Sequence, residues 1–166
     1  MAFQYDNDMA NAYVKSTVSA ALNNLYSMRL KKDGKVGLAK LLGAVAFAEE
    51  INARRILMHL RGKIEDPTIY VQDLMKIKKE SFSEDYPRIS KALKQSGSET
   101  ASEAFEQFGE VAKIHFDLIE KVKGNEVVVA SSYHVCAVCG YIAEAEAPEK
   151  CPVCGAVKSK FKTTEK

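Results

Sequence analysis

Cysteine is absent from the first 135 residues of this chain, and all four cysteines fall between positions 136 and 154. A secreted scaffold held by disulfides spreads its cysteines through the sequence, so that class is set aside. No apolar run approaches the roughly 20 residues needed to cross a membrane. Neither sign of charge dominates, because 24 Lys and Arg face 22 Asp and Glu and leave a formal net charge of +2. No basic stretch is dense enough to suit nucleic acid, and the scattered lysines read as solvated helix faces. The opening MAFQYDNDMA lacks the charged-then-apolar layout of a signal peptide. Internal repeats, low-complexity tracts, phosphate loops and nucleophile elbows are missing too. The expectation is a soluble cytoplasmic protein without a nucleic-acid or membrane partner. Its 166 residues allow one ordinary domain plus a small one.

Residues 1 to about 125 carry a helical period. A first helix is expected from Asn7 to Lys31, with Val14, Val18, Ala21, Leu25 and Met28 on one stripe and Gly34 as its stop. A second runs from Val36 to Leu60, its stripe being Leu38, Leu41, Leu42, Val45, Glu49, Asn52 and Ile56, and Gly62 closes it. Asp66 and Pro67 read as an N-cap and a first-turn proline. The third helix then places Val71, Leu74, Lys78 and Ser81 in register, and Pro87 should kink it near Tyr86. After Gly97, Thr100 and Glu103 suit a capping box. The fourth helix carries Phe105, Phe108, Ala112, His115, Ile119 and Val122 and ends at Gly124. Four long amphipathic helices on short connections predict an antiparallel four-helix bundle. A linker is expected at 126–132, including Val127 to Val129, and a separate metal-binding unit of low helical character at 133–166.

That unit reads YHVCAVCGYIAEAEAPEKCPVCGAVKSKF. Each CxxC is a tight turn that brings two thiolates to one side of an ion. Gly140 and Gly155 let the backbone turn back, so that an amide is free to point at a sulfur. Cys136, Cys139, Cys151 and Cys154 together offer four thiolates, a set that takes tetrahedral iron or zinc. So small a unit buries little apolar surface, and the metal supplies much of its folding energy. Tyr141 is expected to pack over this site. His134 reads as an exposed linker histidine, and His59 as an exposed residue favourable at a helix C-terminus.

The helical period also turns polar side chains inward. Glu49 and Asn52 share a face of the second helix, Lys78 and Ser81 a face of the third, and His115 lies on the stripe of the fourth. A charge in a bundle core costs several kcal/mol unless paired, so Glu49 is expected to find a partner, Lys78 being the best candidate. These residues form either a site or a satisfied polar cluster.

AFAEEINARR, DYPRISKA and AFEQFGEVAKIH in the helices, with VCAVCGYI and APEKCPVCGAVKSKF in the tail, resemble the rubrerythrin and nigerythrin family over nearly the whole chain. The resemblance implies a ferritin-like four-helix bundle, usually dimeric, followed by a small rubredoxin-like β domain. In the family the bundle holds a di-iron centre that reduces hydrogen peroxide, and the rubredoxin-like centre delivers electrons. It favours iron over zinc at the four cysteines. It also implies that the bundle site is degenerate. The expected helix 1 glutamate falls on Ser16, the Glu-x-x-His of helix 2 on Glu49 and Asn52, the helix 3 glutamates on Lys78 and Ser81, and the Glu-x-x-His of helix 4 on Ala112 and His115. Glu49 and His115 alone match. Two irons need several anionic oxygens, so a di-iron centre is not expected. A one-residue shift would bring in Glu50, Glu80, Glu84, Glu106 or Glu110, at the cost of turning the apolar stripe outward.

Three functions follow from these readings. The first is a one-electron carrier with one Fe(Cys)4 centre per chain, a homodimer served by a reductase. The second is a structural or interaction protein with zinc in the tail. The third is an active di-iron peroxide reductase linked to NADH.

Overall fold

The computed structural model describes residues 7–62, 67–122, 130 and 132–164. The chain forms two compact units, Met1–Glu65 and Asp66–Lys166. The expected Asp66 cap, the Gly124 stop and the Val127–Val129 linker lie outside the described residues.

The first unit is a helical hairpin of α1 (Asn7–Lys32) and α2 (Val36–Arg61). Gly34 takes the left-handed conformation at φ 74°, and the N–H of Lys35 closes the helix end on Leu30 O at 2.9 Å. Gly62, also at φ 74°, ends α2 with its N–H on Met58 O. The helices meet through small side chains. Ala39, Ala46 and Ala53 recur every seven residues and are buried, as is Ala20 of α1. Ser27 Oγ donates to Ala39 O at 2.7 Å, and a Cβ added at Gly43 would stand 3.4 Å from that hydroxyl. A seam this lean lets the two backbones approach closely.

The larger apolar stripe expected on α1 does not form this seam. Val14, Val18, Leu25 and Met28 are 55, 50, 59 and 64% exposed, and Leu38, Leu41 and Val45 of α2 are exposed as well. The hairpin has two apolar faces, and the alanine face closes it because small residues allow the tighter approach. The large face is left over.

In the second unit α3 (Pro67–Glu80) runs into a π-turn (Ser81–Asp85) and then α4 (Tyr86–Gln95). The disturbance expected from Pro87 is this wide turn. Proline offers no N–H to the carbonyl four residues back and its ring crowds that carbonyl, and an i to i+5 turn just ahead of it absorbs the mismatch. Gly97, at φ 78°, closes α4 with the N–H of Ser98 on Leu93 O. Next, α5 (Glu99–Val122) begins earlier than expected. Ser98 O already accepts the N–H of Ser102 at 2.9 Å, so Thr100 lies inside the first turn and is not its cap.

The buried hydroxyls of Ser90 and Ser102 join α4 to α5 at 2.9 Å, and Ser102 Oγ also donates to Ser90 O. Tyr86, Phe105 and Phe108 meet edge to face nearby, and Phe82 meets Phe116 at 5.7 Å between ring centres. The tail is a three-stranded antiparallel sheet in the order β2-β1-β3, made of β1 (Tyr133–Cys136), β2 (Ile142–Glu144) and β3 (Phe161–Thr163). Val135 pairs with Ile142 on one side and Lys162 on the other. The four long rods and the small β tail match the expected fold class. No described helix is long and apolar enough to cross a membrane.

Candidate metal centre

Strand β1 delivers Cys136 into the first knuckle. The Cys136 N–H donates to Tyr141 O and the Gly140 N–H returns to Cys136 O at 2.9 Å. The second knuckle repeats this: Cys151 N–H donates to Ala156 O, and Gly155 N–H to Cys151 O at 2.9 Å. Gly140 (φ 83°) and Gly155 (φ 72°) sit where a β-carbon is disfavoured. Their amides were expected to point at sulfur. They close the turns on carbonyls instead, and the N–H groups directed at sulfur come from Val138 and Cys139 to Cys136, Tyr141 to Cys139, and Ala156 to Cys154.

The four Sγ atoms lie within 4.8 Å of one another. Cys136 and Cys154 are 3.7 Å apart, and Cys139 and Cys151 3.5 Å. A tetrahedron of metal–sulfur bonds of about 2.3 Å has edges of about 3.8 Å. The sulfurs therefore surround a volume of the right size for one ion. Cys136, Cys139 and Cys151 are buried, and Cys154 is half-buried. Val153, Ala156, Phe161 and Tyr141 pack around them, with Tyr141 and Phe161 edge to face at 6.3 Å.

Without a cation Cys136, Cys139 and Cys154 do not ionise alike. Burial pushes the Cys136 thiol up, but the N–H donors of Cys139 and Val138 and the neighbouring thiols outweigh it and bring it to about 7. Cys139 is pushed far up by burial and then by the crowding of Cys154, Cys151 and Cys136, with only the Tyr141 N–H opposing. Cys154 is also raised, first by burial, against the Ala156 N–H. One thiolate forms readily and the next resist. A bound di- or trivalent ion removes that resistance, since it compensates the negative charges at their shared centre. The donor set fits such an ion.

The remaining expected site residues divide between the units. Ser16, half-buried, lies on α1, with Glu49 (half-buried) and Asn52 (exposed) on α2. Lys78, Ser81, Ala112 and His115 belong to the second unit. Ser81 opens the π-turn and its hydroxyl donates to Ile77 O at 2.8 Å, so it is satisfied by its own backbone. Ala112 is buried at 3% exposure. His115 is half-buried, and its Nε2–H donates to Gly140 O at 3.0 Å, in the first cysteine knuckle. Burial lowers the His115 pKa, the Gly140 carbonyl opposes this, and the nearby Lys78 ammonium lowers it further. Glu50, Glu80, Glu84, Glu106 and Glu110 are all exposed. Asn24 donates to Glu50 and Ser90 to Glu106.

His59 is exposed in the last turn of α2, as expected. His134 is not a free linker histidine. It lies in β1, where Nε2 reaches Ala145 O at 3.0 Å and Nδ1 reaches Thr163 Oγ1 at 3.1 Å. Sequence reasoning missed Val111. This α5 residue is 6% exposed and belongs to the same buried cluster as Cys136, Cys139 and Cys151. The only hint was its place one residue off the stripe.

A set of long helices followed by a small sheet with two cysteine knuckles defines a helical protein with a rubredoxin-like metal domain. Residues 134–162 match the family model described as the rubrerythrin, rubredoxin-like domain. Rubrerythrin-2 of Clostridium acetobutylicum is 23% identical over 141 residues, covering 75% of this chain and 77% of that protein. Solved structures of nigerythrin in its mixed-valence and partially reduced states superpose with TM-scores of 0.56 and 0.57, at 20 and 19% identity. The fully reduced, all-ferrous state gives 0.55 at 19%, and each match covers 94% of this chain and 84% of the nigerythrin chain. Residues 134–162 are thus a rubrerythrin-type, rubredoxin-like domain, and the chain as a whole is similar to rubrerythrin in sequence and to nigerythrin in fold.

Proposed function

We propose that this protein is a cytoplasmic one-electron carrier that works through a single iron held by Cys136, Cys139, Cys151 and Cys154, and that its bundle no longer holds a di-iron centre. The observation that carries the reading is the close cluster of four thiols, three of them buried, edged by N–H donors. Iron bound there supplies a one-electron couple between the ferric and ferrous states with unchanged ligands. The chain's part is to hold the four sulfurs in place and to direct amides at them. A reductase is the class of partner that supplies the electron, and an acceptor protein or small oxidant removes it.

Loss of the bundle metals is supported from three sides. Ala112 has no donor atom, Lys78 brings positive charge near His115, and the Nε2 of His115 is occupied by the Gly140 carbonyl. A di-metal site needs anionic oxygens at such positions. The domains are proposed as a helical bundle up to about residue 125, a linker at 126–132 and the metal domain from 133. The bundle is proposed to be a homodimer platform, because the large apolar face of α1 and α2 is exposed in the single chain.

Metal analysis with an oxidised spectrum tests this. One iron per chain, a red colour and bleaching on one-electron reduction are expected. A colourless protein with one zinc would leave a structural role. Three irons per chain, or peroxide turnover driven by a reductase, would falsify the loss of the bundle centre.

A further inference from the structure

The described second unit contains a contact that neither the cysteine motifs nor the helical period called for. Helix α5 enters the tail's core. Val111 belongs to the same buried cluster as Cys136, Cys139 and Cys151, and its Cγ1 stands 3.8 Å from where a Cβ of Gly140 would lie. One turn further along α5, His115 donates from Nε2 to Gly140 O at 3.0 Å. Six residues beyond His115, Lys121 Nζ binds Glu144 of β2 at 2.8 Å. Val111 and His115, one turn apart on one face of α5, thus reach the first knuckle, and Lys121 reaches its neighbouring strand.

We propose that His115 is a positioning residue of the four-thiolate centre: it latches the Gly140 carbonyl to α5 and, with Val111 beside it, closes the first knuckle to water. This rests on the one-electron reading above only for its effect on potential. The latch itself holds whichever ion fills the cage.

The physical argument has two parts. The Gly140 carbonyl follows Cys139 directly, so holding it fixes the turn that aims the Tyr141 N–H at the Cys139 sulfur. Val111 lies on the thiolate cluster where solvent would otherwise reach it. With four thiolates, the ferric site carries net charge −1 and the ferrous site −2. Water stabilises the more highly charged ferrous form, so a closed knuckle lowers the reduction potential and an opened one raises it.

The surface ion pair Lys121–Glu144 has about half of its lysine exposed and adds little to the docking. His115 lies closer to the centre and is half-buried. The imidazole that the family resemblance assigns to a bundle metal is, in this chain, turned toward the tail.

The test compares full-length H115L, H115Q and H115N with the parent protein. Glutamine reaches about as far as the imidazole Nε2 and carries an N–H, whereas asparagine is too short. Hydrogen exchange of the knuckle segment 134–142 is read on zinc-loaded protein, and the reduction potential on iron-loaded protein. H115L and H115N are expected to exchange roughly fivefold faster, the effect of one lost hydrogen bond. Their potential is expected to rise by up to roughly 40 mV, which is a fivefold change for a one-electron couple. H115Q should stay close to the parent in both. Unchanged exchange and potential in H115L overturn the latch, as does H115N matching H115Q. Should H115L lose its helix by circular dichroism, the comparison of H115N with H115Q decides alone. Faster exchange in H115N with no reversible iron couple in any variant sustains the latch and removes the electron-carrier reading.

Discussion

His115 has a half-buried imidazole that faces a carbonyl on one side and the Lys78 ammonium on another. Burial and that ammonium both disfavour its cation, so its folded pKa lies below the 6.5 of the free side chain. The unfolded chain therefore binds the proton more readily than the folded one. The neutral imidazole contributes stability above pH 6.5, and that contribution is lost as pH falls toward the folded value. An NMR titration of the ring is expected to give a midpoint below 6.5, and Lys78→Ala should move it upward. A midpoint at or above 6.5 in the parent would mean that the ring is not confined as described. At the same scale, the gathering of the four cysteines into one cluster was fully legible, because two CxxC pairs leave few other readings. The role of His115 was not. Its stripe position predicted an inward side chain, but helical periodicity says nothing about a partner 25 residues further along the chain.

At the level of elements, the helix ends were read closely. Gly34, Gly62 and Gly97 all take the positive φ that a side chain disfavours where a helix stops, and α1 and α2 each extend one residue past the expected end. What the sequence concealed was which face of α1 meets α2. Hydrophobicity weighs leucine and valine above alanine, yet closeness of approach favours alanine and serine. The buried seam of Ala39, Ala46 and Ala53 follows from that preference. Ala46 is fully buried at 0% exposure, so Ala46→Leu must push the helices apart. It should destabilise the protein by about 1–3 kcal/mol, the usual cost of overpacking, in a denaturant titration followed by circular dichroism. Leucine at exposed Ala48 is the control and should have little effect. If the two variants unfold alike, the seam is not where the helices touch.

For the whole molecule, the exposed face of α1 is the feature that bears on assembly. Val14, Val18, Leu25 and Met28 form an apolar strip too long to be indifferent to water. A homodimer that covers it is expected to sediment at twice the chain mass. Replacing Leu25 and Met28 together by glutamate should shift the protein to monomer at micromolar concentration, while the cysteine centre keeps its visible spectrum. A double variant that stays dimeric would place the contact elsewhere. The sequence showed this strip clearly. It could not show that α1 and α2 would pair through their other face, because both faces carry the same 3.6-residue period.

The π-turn at Ser81–Asp85 has a further consequence. One extra residue in a helical turn rotates everything after it by about 100° relative to an unbroken rod. Side chains up to Glu80 and those from Tyr86 onward therefore follow two different phases, although the helical rod runs on through them. A single wheel drawn through both would misassign one half, and a relative lacking this insertion would differ by one position in every pairwise comparison beyond it. Removing one residue from the turn should reset the phase, swinging the ring of Tyr86 away from Phe105 and Phe108 while leaving α3 as it is.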